Sequence, residues 1–355
     1  MYVWNTLKPQ IHNKWRKIWY ERHPSDIAEY SWNYLFTGGK EIRPILFCEL
    51  WHYLCPDSIV NAELAFAIEC IHVASIILDD TPWMDNASER RGKPTLHTTF
   101  TPNKSLMIAN DVIAMAVEIW KTNKPNSINE GEWYNILSSK LKRLIIGQWY
   151  DLDKKGSLIE LASLKTGILF ELVTETVAIC TNLDTDFWKL WGNTLGILFQ
   201  WMDDYLDMEE DAIQCNRNAF NEDYQTTLNN YTILWQNIAQ SIGNKWFNKQ
   251  IGVFMKTYFL EKLRITHAFN ECSMLPKFKD FKWIRIVAPE ILFGTFESSD
   301  INKTYDFPMN FIKGLTRDNI ISRSFKLADN LFLVKMVDTT LWNMTDKELE
   351  EKYSV

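Results

Sequence analysis

Turn residues are scarce in this chain: 13 glycines and 11 prolines are all that its 355 residues hold. That is about 7% of the length, against roughly 12% in ordinary proteins. Sandwiches, propellers and doubly wound sheets turn often, and tight turns draw on glycine and proline. The scarcity therefore argues for an all-α chain of long helices with few connections. The composition is 46% hydrophobic and 14% aromatic, ample for a core, which excludes a disordered chain. The length accommodates one large helical domain or two.

The formal net charge of −7 leaves nothing basic to neutralise phosphates along a polymer, which excludes a general nucleic-acid binder. The most apolar run, Leu64 to Leu78, is interrupted by Glu69 and His72, so no transmembrane segment is expected. Met1 to Trp19 lacks the apolar stretch of a signal peptide, and the final residues carry no lipidation or retention signal. Cys48, Cys55, Cys70, Cys180, Cys215 and Cys272 form no CxxC pair. Reduced thiols in a cytoplasmic protein are the expectation.

Apolar spacing predicts a helix over Ala62 to Leu78, loosening just after Asp80 because Pro82 disfavours α geometry at Thr81. It predicts another from about Leu195 to Glu210, with Gln200, Asp203 and Asp207 beside the apolar stripe. Lys121 to Gly131 reads as a surface loop, and the chain after Asn216 reads as helical.

Two aspartate clusters carry the strongest chemical signal: Asp79-Asp80-Thr-Pro-Trp-Met-Asp85 and Asp203-Asp204-Tyr-Leu-Asp207. Aspartates four apart on a helix share a face. Carboxylates crowded on a partly buried face repel unless a cation neutralises them. Without thiolates or an imidazole cage they suit Mg²⁺, a hard ion that keeps waters and takes substrate phosphates. A solvated acidic helix end is the plainer explanation of either cluster alone. Basic residues stand in short contexts, Gly38-Gly39-Lys40-Glu41-Ile42-Arg43-Pro44 and Arg90-Arg91-Gly92. Arginine offers a planar fork and lysine a point charge to phosphate oxygens, although either motif alone reads as surface charge.

Taken in order, GGKEIRP (38–44), HVASIILDDTPWMDNASERRGKPT (72–95), GQWYD (147–151), KTG (165–167) and FQWMDDYLD (199–207) resemble the motifs of the trans-isoprenyl diphosphate synthases, the farnesyl and geranylgeranyl diphosphate synthase family. The resemblance implies an all-α isoprenoid synthase-type bundle around a deep central cavity, usually a homodimer. It implies such a domain over residues 1–300, with 301–355 as a C-terminal extension of unassigned role. It implies Asp79, Asp80, Asp85, Asp203 and Asp207 as ligands of about three Mg²⁺. Arg90, Lys165 and Arg217 fall to the allylic diphosphate, and Lys40, Arg43, His72 and Arg91 to isopentenyl diphosphate. Lys165, Thr166 and Gln200 fall to catalysis.

The implied reaction condenses isopentenyl diphosphate with an allylic diphosphate into a longer prenyl diphosphate. A terpene synthase on the same scaffold and a non-catalytic regulatory subunit are the rivals. Small residues at Ala74 and Ser75, where the family floors its product pocket, favour a C20 geranylgeranyl product, with Ile71, Ile68 or Met115 on a neighbouring helix as the residue that closes the pocket lower down. Two positions depart from the family pattern. Glu41 stands where a second basic residue is common. Beyond the second cluster Arg217 replaces one lysine, while Gln225-Thr226-Thr227 replaces another.

Overall fold

The computed structural model describes residues 3–36, 39–90, 92–214 and 216–243, with Ile251, Met255 and two short strands beyond them. The chain forms two compact units, Met1–Gln200 and Trp201–Val355.

The first unit opens with α1 (Val3–Arg22), α2 (Ser25–Phe36), α3 (Ile42–Leu54) and α4 (Ala62–Asp79). Helix α4 is its centre. Leu64, Ala65, Phe66, Ala67, Ile68, Cys70 and Ala74 are wholly buried, as a helix apolar on every side must be. It ends one residue beyond the expected boundary, where the Thr81 hydroxyl donates to the Leu78 carbonyl at 2.7 Å and Pro82 follows. A hairpin of β1 (Glu89–Arg90) and β2 (Lys93–Pro94) comes next, then α5 (Leu96–Thr99), α6 (Pro102–Thr122) and α7 (Glu130–Leu152). Thr101 and Asn129 cap α6 and α7 through their side-chain oxygens. The intervening loop falls inside the predicted Lys121–Gly131. Trp120 and Trp133 stack across it at 4.2 Å, and each indole N–H donates to the other's carbonyl, at 3.0 and 2.8 Å. That arrangement joins α6 to α7 without leaving a buried donor unpaired.

After α8 (Leu158–Ala162) the chain makes a π-helical turn, Ser163–Gly167, before α9 (Ile168–Cys180). Helix α10 (Thr185–Gln214) is longer than the predicted Leu195–Glu210. Its buried stripe starts earlier, at Trp188 and Trp191, and continues through Leu195 and Leu198.

The second unit holds the end of α10, then α11 (Ala219–Glu222) and α12 (Tyr224–Ile242). The helical reading beyond Asn216 stands that far. Further on, β3 (Arg285–Val287) and β4 (Leu333–Lys335) pair antiparallel, where helix was expected. These short apolar runs satisfy their backbone groups by pairing with each other rather than within a helix. Apart from β4, the expected extension at 301–355 lies outside the described residues. Among the described residues no sheet exceeds two strands, and no helix is long and apolar enough to cross a membrane.

His12, on α1, is enclosed by the rings of Trp4, Trp32, Phe36 and Phe66. Burial holds its imidazole down to about 4; Glu41 opposes that shift and Lys8 reinforces it. The unfolded chain takes up this proton near pH 6.5. His12 therefore costs the fold nothing above that pH and destabilises it increasingly as pH falls toward 4. Urea unfolding near pH 7 and about pH 4.5 is expected to show His12→Phe losing about 2 kcal/mol less stability on acidification than the wild type. Equal losses in both proteins would remove His12 as the cause.

Candidate active site

In the first unit the site is built on the end of α4. The helix delivers Asp79, and the loop after it folds back tightly. The Asp85 N–H donates to the Asp79 carbonyl at 2.9 Å, and the Met84 and Asn86 N–H groups both donate to the Thr81 carbonyl at 3.0 Å. Six residues apart in sequence, Asp79 and Asp85 thus stand at one turn. Burial pushes the Asp79 carboxyl up to about 6; Asp85 and Asp80 push the same way, against Lys165 and Arg90. Lost hydration raises Asp85 as well, again opposed by Lys165 and Arg90. Four predicted site residues, Asp79, Asp85, Arg90 and Lys165, therefore act on one another electrostatically.

Asp80 has a different place. It is buried, accepting from the Tyr34 hydroxyl at 2.6 Å on one oxygen and from Arg90 Nε at 2.6 Å on the other. Both oxygens being engaged, Asp80 aims Arg90 and ties α2 to the cluster. Nothing in the local spacing singles out Tyr34.

Lys165 and Thr166 lie in the π-helical turn, a feature often found at functional sites. The Lys165 ammonium pairs with Asp151 on α7. Thr166 Oγ1 donates to Gln200 Oε1 at 2.7 Å, so two predicted catalytic residues meet. Close backbone approaches fix this turn. A Cβ on Gly147 would come 2.7 Å from Leu164 Cβ, and one on Gly196 would come 2.5 Å from Gly167 Cα. Gly147 lets α7 approach, which places Asp151, one helical turn later, opposite Lys165.

Behind the turn is a buried charge network. Lys140 Nζ stands 2.8 Å from Glu171 and 2.7 Å from Glu175, with all three side chains at most 7% exposed. Arg143 covers Glu171 at 3.0 and 3.1 Å. Asn193 donates to Glu171 at 3.0 Å and accepts from the Ser163 hydroxyl at 2.8 Å, which connects the network to the start of the π-helical turn. Asp151, Asn193 and this network were not among the predicted site residues. Asp151 ends the GQWYD motif, while the rest leave a fainter trace: Lys140, Arg143, Gly147 and Asp151 recur at three, four and four, along one face of α7.

Three of the four predicted isopentenyl diphosphate residues are described. Lys40 and His72 are half-buried, and Arg43 is 8% exposed with its guanidinium 5.5 Å from the Phe170 ring centre. Arg91 lies outside the described residues. Of the chain-length residues, Ala74 and Met115 are wholly buried, while Ser75 is half-buried and donates to the His72 carbonyl at 2.7 Å.

The second unit repeats the division of labour within its own aspartates. Asp203 and Asp207 are half-buried. Asp204 is buried and accepts from the Ala219 N–H at 3.2 Å, while Asn218 Nδ2 donates to the Asp204 carbonyl at 2.6 Å. Asp204 thus braces the start of α11. Arg217 pairs with Glu222 at 3.1 Å.

Among the described residues no three His, Cys, Asp or Glu side chains are gathered tightly enough to enclose a metal by themselves. Mg²⁺ requires no such cage, since it binds through one or two carboxylates and completes its shell with water and phosphate oxygens. Asp79 and Asp85 fit that requirement: all-oxygen donors whose ionised forms are penalised until a cation arrives.

The Polyprenyl synthetase family model matches residues 25–245, from α2 to the end of α12. Geranylgeranyl pyrophosphate synthase 7 of Arabidopsis thaliana is 30% identical over 215 residues, 56% of this chain and 61% of that protein. Farnesyl diphosphate synthase of Haemophilus influenzae is 30% identical over 214 residues, 56% of this chain and 72% of that protein. The chain spans about 60% of the length of the plant relatives it matches. A geranyltranstransferase from Thermotoga maritima superposes with a TM-score of 0.59 at 23% identity, covering 74% of this chain and 98% of that one. An FPP/GFPP synthase from Zymomonas mobilis gives 0.54 at 26% identity, covering 67% and 91%. The helical fold and a family match across more than half the chain agree: it belongs to the polyprenyl synthetase family, the trans-isoprenyl diphosphate synthases.

Proposed function

We propose that this chain is a trans-prenyltransferase that joins isopentenyl diphosphate to an allylic diphosphate. The observation that carries the reading is the charge arrangement of the first unit. Asp79 and Asp85, whose carboxyls burial pushes up, share their surroundings with the phosphate-seeking Arg90 and Lys165. On this reading Asp79 and Asp85 are direct metal ligands, and Asp203 and Asp207 join them by motif matching, with Asp80 aiming Arg90. Bound Mg²⁺, about three ions per site, supplies charge neutralisation for a departing diphosphate.

Arg90 and Lys165 hold oxygens of the allylic diphosphate, and Arg217 is assigned there too. As the allylic C–O bond breaks, its electron pair leaves with the diphosphate and an allylic cation remains. Thr166 and Gln200 present oxygen dipoles that favour that cation. Lys40, Arg43, His72 and Arg91 hold isopentenyl diphosphate so that its double bond meets the cation. The new C–C bond forms, a proton passes to the released diphosphate, and the product is one isoprene unit longer.

The finer reading is a C20 product made by a cytoplasmic homodimer. Half-buried Ser75, one helical turn before Asp79, leaves room for a growing tail. Ser75→Phe is expected to shift products at least one isoprene unit shorter on chromatography of the dephosphorylated alcohols. An unchanged distribution would remove Ser75 as the floor.

The reading as a whole is tested by incubating the protein with Mg²⁺, isopentenyl diphosphate and each allylic primer in turn. A longer diphosphate supports it. A hydrocarbon formed without isopentenyl diphosphate would replace it with a terpene synthase, and no product from any primer would favour a regulatory subunit.

A further inference from the structure

We infer that helix α1 is a positioning element for the basic loop at Lys40 and Arg43, acting through a clamp of Trp4 and Lys8 on Glu41, with the neutral His12 ring packed beside it. The inference rests on the proposed role of that loop in holding isopentenyl diphosphate. Helix α1 precedes the residues matched by the family model, which begin at 25.

The geometry of Glu41 is unusual in two ways. Its backbone is left-handed, with φ 50° and ψ 42°, a conformation that an L-residue with a long side chain seldom holds unless its surroundings enforce it. Its side chain, at the N-cap of α3, makes no capping hydrogen bond. It reaches α1 instead. The fully buried Trp4 donates its indole N–H to Glu41 Oε2 at 2.9 Å, and Lys8 Nζ stands 2.7 Å from the same oxygen. His12 Nε2 is 3.5 Å from the other oxygen. The Val3 N–H adds a second tie to α3, donating to Glu49 Oε1 at 2.5 Å.

Two consequences reach the anion site. Glu41 starts α3, since its carbonyl accepts the Ile45 N–H at 3.0 Å. Holding Glu41 therefore sets the direction of the first turn, which carries Arg43, and of the segment before it, which carries Lys40. The second consequence is electrostatic. An uncompensated carboxylate between Lys40 and Arg43 would repel a diphosphate, and the Lys8 ammonium cancels it. Trp4, Lys8 and His12 occur at four-residue intervals, so one face of one helix supplies both partners and the neighbouring ring.

The test is steady-state kinetics on the full chain, varying each substrate separately, with thermal melting of every variant. Lys8→Met is expected to raise KM for isopentenyl diphosphate about five- to twentyfold, leaving KM for the allylic diphosphate and kcat within about twofold. Trp4→Phe, which keeps a ring and loses the donor, should move the same constant less. Lys8→Arg should retain a near wild-type value. Lys8→Met combined with Glu41→Gln should recover part of the loss, because the uncompensated charge is gone. If wild-type protein elongates and both single losses leave KM for isopentenyl diphosphate unchanged, the clamp does not position the loop. Equal rises in both KM values together with a lowered melting temperature would show general destabilisation and overturn the inference. A wild type that neither elongates nor binds isopentenyl diphosphate in calorimetry overturns the functional reading beneath it, a result distinct from either.

Discussion

Asp79→Ala is expected to lower the rate of prenyl elongation by about a thousandfold or more while leaving the protein folded. The size follows from the site's task. In the proposed reaction diphosphate would depart as a concentrated negative charge, and the rate would depend on neutralising it as the C–O bond breaks. Asp79 has the geometry for the central share, at the end of a rigid buried helix with Asp85 folded back beside it. The fold loses little. The Asp79 carboxyl is lifted by burial, so truncating it removes a poorly hydrated acid, and alanine continues the helix well. Single-turnover assays across a Mg²⁺ titration, alongside thermal melting, separate the two effects. The diagnostic result is an unchanged melting temperature with a rate that added Mg²⁺ does not recover. A rate within tenfold of wild type would mean that Asp79 holds no catalytic metal.

Lys140→Met should have the largest effect on stability, about 3–5 kcal/mol in urea unfolding. A buried lysine held by two buried glutamates is not in itself strongly stabilising, because desolvation offsets much of the attraction. Removing one partner is another matter. Glu171 and Glu175 would face each other with Arg143 and Lys189 at their edges, at 3.0 and 3.4 Å, and the Asn193 amide on Glu171. Adding Glu175→Gln to Lys140→Met should return part of the loss by removing one orphaned charge. A cost below about 1 kcal/mol for the single variant would show that the site takes up water or protonates a glutamate cheaply. The network reaches the chemistry as well, since Asn193 connects Glu171 to Ser163 at the head of the turn carrying Lys165 and Thr166.

Much of the fold was legible before any coordinates. The shortage of glycine and proline pointed to helices, and apolar spacing found α4 to within a residue of its end. Pro82 marked that end for a reason that operates within three residues. Helix α10 extends ten residues upstream of the predicted Leu195, because its apolar face begins with Trp188 and Trp191, before the aspartate motif. The π-helical turn left no signal, since it depends on how closely α7 and α10 approach at Gly147 and Gly196.

The site divides along the same line. Asp79 with Asp85 stood out by residue type and short spacing, whereas Lys165 and Thr166 were marked only by the family resemblance. Pairings with distant residues carried no such mark. Asp80 looked like one more member of an acidic cluster, yet Tyr34, 46 residues away, and Arg90 occupy both its oxygens. Glu41 looked like a departure in a basic loop, yet Trp4 and Lys8 hold its carboxylate.

By itself, then, the sequence determined an all-helical architecture, the acidic and basic groups and their order along the chain. Those follow from backbone sterics, helical periodicity and side-chain chemistry, all of which act over a few residues. Only the tertiary structure decided which carboxylates are raised by burial and which accept hydrogen bonds from distant side chains. That choice depends on burial and on partners brought from distant helices, and neither can be read from spacing along a chain.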